Sequence, residues 1–259
     1  MPFVEAEGAR LHYQLEGHEE APVLMLSNSL GTALEMWNPQ VRAFTMRYRL
    51  LRYDSRGHGR SAVTPGPYTI ERLGRDALAL LDALGLQRVA FCGLSKGGMV
   101  GQWLGANAPD RVERLVLCNT SAHIGAPEVW NQRIETVQAM GMGAIVPGVI
   151  ERWFTAPFRQ SAPEAVAKVR AMLEATDPEG YVACCAAVRD MDLREAIRGI
   201  KAPTLVIAGH HDLPTPPDHA RLIADSIQGA SLVMLDAAHL SNVEAQADFT
   251  KAVLDFLGA

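Results

Sequence analysis

The stretch 88-RVAFCGLSKGGM-99 climbs through apolar residues, turns on glycines around a single serine and continues into a segment of helical character. Gly93-Leu94-Ser95-Lys96-Gly97 fits the pattern G-x-S-x-G, which has three fixed positions and carries little weight alone. Its setting carries more. A buried strand, RVAFCG, runs up to it, and a helix is expected from Lys96 to Asn107 after it. Glycines two before and two after the serine let the backbone turn tightly enough to lift its hydroxyl above the end of a sheet, which an ordinary bend does not need. Ser95 is therefore the expected nucleophile.

Outward from this turn the chain repeats the same rhythm. PVLMLSN, YRLLRYD, VERLVLCNT, APTLVIAG and ASLVMLD are continuous apolar runs, as strands covered on both faces require. ARLHYQLEG, residues 9–17, alternates with period two, as a half-exposed edge strand does. TIERLGRDALALLDALG places Ile70, Leu73, Ala77, Leu80, Leu81 and Leu84 on one helical face with Gly85 as its stop, and a last helix is expected over 243–257. Between 123 and 197 the strands stop. EVWNQRIETVQAM, GVIERWF, PEAVAKVRAML and PEGYVACCAAVRDM read there as four short helices separated by glycine and proline. The expected fold is α/β, a mostly parallel central sheet flanked by helices, with residues 1–122 and 198–259 as the core and 123–197 as an inserted helical lid.

A serine hydroxyl attacks only when a base takes its proton and a third group orients that base. APTLVIAGHHDLPTP puts Asp212 just beyond one strand, and SLVMLDAAHLSN puts His239 just beyond the last one, at the strand ends where α/β sheets gather their sites. The chain order Ser95, Asp212, His239 is serine, acid, histidine. Among the other histidines, His12 and His18 belong to an N-terminal hairpin, His58 to an early loop, His123 to the lid entrance and His219 to a helix, while His210 and His211 adjoin the acid. Asn119, at the end of VERLVLCNT, cannot stabilise an imidazolium by charge, so Asp212 keeps the role of acid. The developing oxyanion needs backbone donors, one from Lys96 and one from the loop NSLGTALEMWNPQ after PVLMLS.

At 259 residues, 48% hydrophobic and 20% charged, the chain can bury a large core in one domain. A net charge of -5 with no run of lysine or arginine argues against nucleic acid and anionic membrane as partners, which leaves a small molecule. The start MPFVEAEGARLHYQLEG lacks the pattern of a signal peptide, and no stretch reaches the roughly 18 apolar residues of a membrane helix, so a cytoplasmic protein is expected. Cys92, Cys118, Cys184 and Cys185 sit in apolar runs without paired spacing and read as reduced core residues, with neither disulfide nor metal site indicated.

In YDSRGHGRS, GLSKGG, GHHDLPTP and AAHLSN the chain resembles the α/β-hydrolase superfamily. In LSNSLGT, PGPYTIERLGRD, GLSKGGMVGQWLG, GYVACCAAVRDMDLR and AAHLSNVE it resembles, over nearly its whole length, the 3-oxoadipate enol-lactonases of bacterial aromatic-acid catabolism. Many relatives begin the early loop His-Gly-x; aligning through Met36-Trp37 places Asn28-Ser29 on that pair and Leu30 on the donating position, so Asn28 and Ser29 can reshape the pocket beside it. Lys96 is a second departure, since similar chains usually carry an uncharged residue there. Its ammonium has three outlets: a substrate carboxylate, His239, or solvent.

The resemblance implies ring opening by Ser95 through an acyl-enzyme, without metal or organic cofactor. Such a lactone carries a free carboxylate, and lid arginines Arg133, Arg152 and Arg189 are candidates to meet it, with Trp130 and Trp153 as apolar walls. A carboxylesterase, a carbon–carbon bond hydrolase or a perhydrolase would use the same three residues. A ligand-binding receptor that retains an old hydrolase pocket is the non-enzymatic alternative, which turnover of p-nitrophenyl esters separates from a hydrolase.

Overall fold

A computed structural model describes residues 2–6 and 8–258; the outer limits of the expected core, residues 1 and 259, lie outside the described residues, as does Glu7. The chain runs β1 (Phe3–Ala6), β2 (Ala9–Glu16), β3 (Val23–Ser27), α1 (Asn38–Phe44), β4 (Arg49–Tyr53), α2 (Ile70–Ala83), β5 (Val89–Leu94), α3 (Lys96–Asn107) and β6 (Val112–Cys118). Then come α4 (Pro127–Met140), α5 (Val146–Trp153), α6 (Ala156–Ser161), α7 (Pro163–Glu174) and α8 (Pro178–Asp190). The chain closes with β7 (Thr204–Gly209), α9 (Pro217–Ser226), β8 (Ser231–Leu235), α10 (Ser241–Glu244) and α11 (Gln246–Leu257).

The strands form one sheet in the order β1-β2-β4-β3-β5-β6-β7-β8. The β1–β2 and β2–β4 pairs are antiparallel and all others parallel. Every residue of β5 and β7 is buried, which is why those runs contain no polar alternation. After β3 the order reverses: β4 pairs on one side of it and β5 on the other, with Ser27 opposite Gly93. The loops leaving β3 and β5 therefore diverge at a topological switch point, where open α/β sheets form their clefts.

ARLHYQLEG is not an edge strand. β1 pairs outside it, four residues long and too short to announce itself in the sequence; the alternation of β2 reflects partial coverage of one face. α2 starts on a side-chain cap, Arg72 N–H donating to Thr69 Oγ1 at 3.0 Å, and ends before Gly85 at φ 67°. The expected last helix is broken at Ala245 (φ -110°, ψ 49°), next to Glu244, whose carboxylate ties the turn to two other segments. It accepts from Ala238 N–H at 2.9 Å, beside His239, and from Thr155 N–H at 3.1 Å, at the start of α6.

Between β6 and β7 stand five α-helices rather than four, each with proline in its first turn, where the missing N–H costs nothing. The extra one, α6, is only six residues long. α8 presses directly on the core: a Cβ added to Gly57 would stand 2.7 Å from Gly180 Cα, and Tyr68 N–H donates to Ala183 O at 3.1 Å. α4 is more exposed, with Val137 its one buried residue, and packs against α8.

Candidate active site

Ser95 occupies the turn between β5 and α3 at φ 56°, ψ -116°, a backbone conformation that costs a non-glycine residue about 1–3 kcal/mol. The surroundings impose it. Ser95 N–H donates to Cys118 O at 2.9 Å, and its carbonyl accepts from Thr120 Oγ1 at 2.7 Å. A Cβ on Gly93 would stand 2.1 Å from Gly97 O, and one on Gly97 would stand 2.1 Å from Ser27 O. Both glycines of the motif are required by this close approach of backbone to backbone.

Asp212 and His239 meet above the ends of β7 and β8. His239 Nδ1 lies 3.0 Å from each carboxylate oxygen of Asp212, and both side chains are buried. Asp212 also accepts from Thr215 N–H (2.9 Å), Thr215 Oγ1 (2.8 Å) and Asn119 Nδ2 (2.9 Å). Burial alone would raise its pKa; the attraction of His239 and these hydrogen bonds outweigh burial and hold the carboxyl below the ordinary range. An acceptor-only carboxylate on Nδ1 keeps the imidazole proton there and leaves Nε2 as the basic nitrogen.

Asn119 is the residue the sequence reading passed over. It does not replace the acid but orients it, and its own Oδ1 accepts from Ser241 Oγ at 2.5 Å. It sits at φ 44°, a conformation asparagine tolerates better than most residues, so an asparagine ending a buried strand was the available signal.

Ser29, Leu30, Ser95, Trp130, Arg133, Arg152, Trp153 and His239 line one cavity of about 240 Å³, together with Met99, Tyr181 and Thr215. Leu30 lines the cavity with Ser95, Lys96 follows the nucleophile directly, and neither backbone N–H has an acceptor among the described residues. Trp153 lies 6.1 Å from the His239 ring, centroid to centroid, and the Arg133 guanidinium is 4.9 Å from the Trp130 ring. Neither Arg133 nor Arg152 forms an ion pair among the described residues. Burial and then the adjacent Arg133 lower the Arg152 pKa, the mark of two cations sharing one partly dry space.

Arg189 does not belong to this group. It pairs with Asp190 at 2.6 Å and donates to Asn131 Oδ1 at 2.7 Å, outside the cavity, because it lies in the last turn of α8 where the neighbouring acid captures it.

Lys96 takes none of its three expected outlets. Its side chain is buried (1% exposed), it does not line the cavity, and Nζ has no hydrogen-bond partner among the described residues. Burial lowers its pKa, and Cys184, Asp54 and Asp76 oppose that only in part. Lys96→Met should therefore stabilise the fold by about 1–3 kcal/mol at neutral pH, the usual cost of an unpaired buried polar group. The sign follows from linkage: with the folded-state pKa below that of the unfolded chain, falling pH protonates the unfolded chain first. The advantage of the variant should be smallest above the ordinary lysine range, grow as pH falls towards the lowered value and then level off. Urea unfolding of both proteins across pH checks this; equal midpoints throughout would place a partner on Nζ.

The α/β-hydrolase fold model matches residues 22–145. The chain is 40% identical to the 3-oxoadipate enol-lactonase 2 of Acinetobacter baylyi, over 96% of this chain and 93% of that one. Among solved structures it is similar to the enol-lactonase from Burkholderia xenovorans LB400, at 48% identity and a TM-score of 0.98 over 100% of both chains. A hydrolase from Pseudomonas aeruginosa is similar at 52% identity and a TM-score of 0.97, covering 100% of this chain and 98% of that one.

Proposed function

The chain belongs to the α/β-hydrolase fold family and, within it, to the 3-oxoadipate enol-lactonases; from that membership we propose that it opens the ring of 3-oxoadipate enol-lactone, or a close carboxylate-bearing enol-lactone, with Ser95, Asp212 and His239 as its catalytic groups. One observation carries the assignment: a strained serine, an aspartate-held imidazole, Leu30 with its undonated amide and two arginines without ion pairs converge on one small cavity.

His239 Nε2 takes the Ser95 proton as Oγ bonds to the lactone carbonyl carbon. The carbonyl oxygen becomes an oxyanion held by the Leu30 and Lys96 amides. When the tetrahedral adduct collapses, the ring C–O bond breaks and the electron pair leaves on the enol oxygen, which His239 protonates. The enol relaxes to the 3-oxo acid. Water, deprotonated by the same nitrogen, then cleaves the acyl-Ser95 ester and returns the proton to Oγ. Nothing in these steps requires a cofactor. The free carboxylate of the substrate is received by Arg133 and Arg152, and a small anionic metabolite, not nucleic acid or membrane, is the partner; the cytoplasm is its place of action.

The test is the rate of loss of enol-lactone absorbance with the purified protein. Arg152→Met and Arg133→Met should each lower kcat/KM on the anionic lactone about tenfold or more, as expected for one charge-assisted contact. A neutral p-nitrophenyl ester should change less than about twofold, and added salt should narrow the gap. Equal losses on both substrates would move the carboxylate away from these arginines, and turnover of esters without the lactone would favour a carboxylesterase.

A further inference from the structure

Leu30 passes directly into Gly31, and Gly31 is gripped from both sides. Its N–H donates to His58 Nε2 at 2.8 Å. Its carbonyl accepts from Thr176 Oγ1 at 3.1 Å, a hydroxyl shared with Met172 O at 2.9 Å. Gly31 adopts φ 79°, and a Cβ there would stand 2.4 Å from Leu173 Cδ1, so the loop has no room to relax towards the lid.

His58 is buried, and its second nitrogen, Nδ1, lies 3.3 Å from Arg56 O and 3.9 Å from Cys184 Sγ. A carbonyl can only accept, so Nδ1 carries the proton and Nε2 offers its lone pair to Gly31. Burial, and next the Lys96 amine, keep the pKa of His58 well below the ordinary histidine range, which preserves that lone pair.

We propose that His58 is a positioning residue for the oxyanion hole: Nε2, as acceptor, fixes the Gly31 N–H and through it the direction of the adjoining Leu30 N–H. The proposal rests on the reading of Leu30 as an oxyanion donor. A donor misdirected by a few tenths of an ångström loses its advantage in the transition state while substrate binding, set by the arginines, is kept.

His58→Leu removes the acceptor, and His58→Gln can restore one. The Leu variant should lose about ten- to a hundredfold in kcat, with KM within about threefold, on the lactone and on a neutral ester alike. Its affinity for a trifluoromethyl ketone, whose adduct with Ser95 carries an oxyanion, should fall by the same factor. The Gln variant should recover most of both. A folded Leu variant with parental kcat and inhibitor affinity, or Leu and Gln variants impaired alike, would overturn the proposal. Should the Leu variant not fold, nitrogen-15 NMR of the parent labelled at histidine decides: a proton on Nδ1 and a bare Nε2 support it, and a proton on Nε2 overturns it. Failure of the serine-hydrolase reading that gives Leu30 its role has a different signature, because a fluorophosphonate would then leave Ser95 of the parent unlabelled.

Discussion

Ser95→Ala folds like the parent and loses hydrolysis by a factor on the order of 10⁵–10⁶. The turn that holds residue 95 is enforced by main-chain and Thr120 hydrogen bonds and by the closeness of Gly93 and Gly97 to neighbouring backbone, none of which involves Oγ. Alanine keeps the Cβ and with it the backbone strain, so the melting temperature should barely move. What disappears is the atom that bonds to the acyl group. The remaining rate comes from the amides and the bound geometry alone. Turnover of the lactone and labelling by a fluorophosphonate measure both halves of this statement, and labelling of the variant equal to that of the parent would remove Ser95 from the mechanism.

The next largest loss is expected from Asp212→Asn, about 10⁴-fold in kcat. Four donors converge on two carboxylate oxygens: His239 Nδ1, Thr215 N–H, Thr215 Oγ1 and Asn119 Nδ2. An amide offers one accepting oxygen and turns an NH2 group towards the remaining donors. If that NH2 faces His239, Nδ1 must accept, the proton moves to Nε2, and the base can no longer take a proton from Ser95. Protein yield and fold should survive better than activity. A variant retaining near-parental kcat would shift the acid elsewhere, and Asp236, paired with exposed His211 at 2.9 Å, would be examined first.

The parts of this molecule that could be read in the sequence are those whose cause is local. The turn around Ser95 announces itself because glycine is demanded within two residues on each side, and the strands β5 and β7 because burial on both faces excludes charged residues along the run. Asp212 and His239 were legible through their places after β7 and β8. The failures have distant causes. β1 is defined by its pairing with β2 rather than by its four residues, and Arg189 is lost to the pocket because Asp190 and Asn131 claim it. For Lys96 the sequence left three outlets open, a substrate carboxylate, His239 or solvent, because it follows Ser95 directly. Its side chain is buried away from the cavity and feels Cys184, Asp54 and Asp76, which the sequence alone does not bring together. His58 was set aside as a loop residue for the same reason, since Gly31 and Arg56 give it a partner on each nitrogen only after folding.

Gly57 and Gly180 meet backbone to backbone, with no side chain between them to be trimmed or enlarged. The helices between β6 and β7 are therefore not a single interchangeable cassette. Any exchange that brings in a foreign α8 must also supply the glycine that faces Gly57 and a carbonyl for Tyr68 N–H, or the first residue with a Cβ will pry the two pieces apart. α4 buries only Val137 and, among the described residues, makes no such backbone-to-backbone contact with the sheet's loops. α4 in turn lies against α8, where Arg189 donates to Asn131 Oδ1, so a foreign α4 must also fit the face that α8 presents to it.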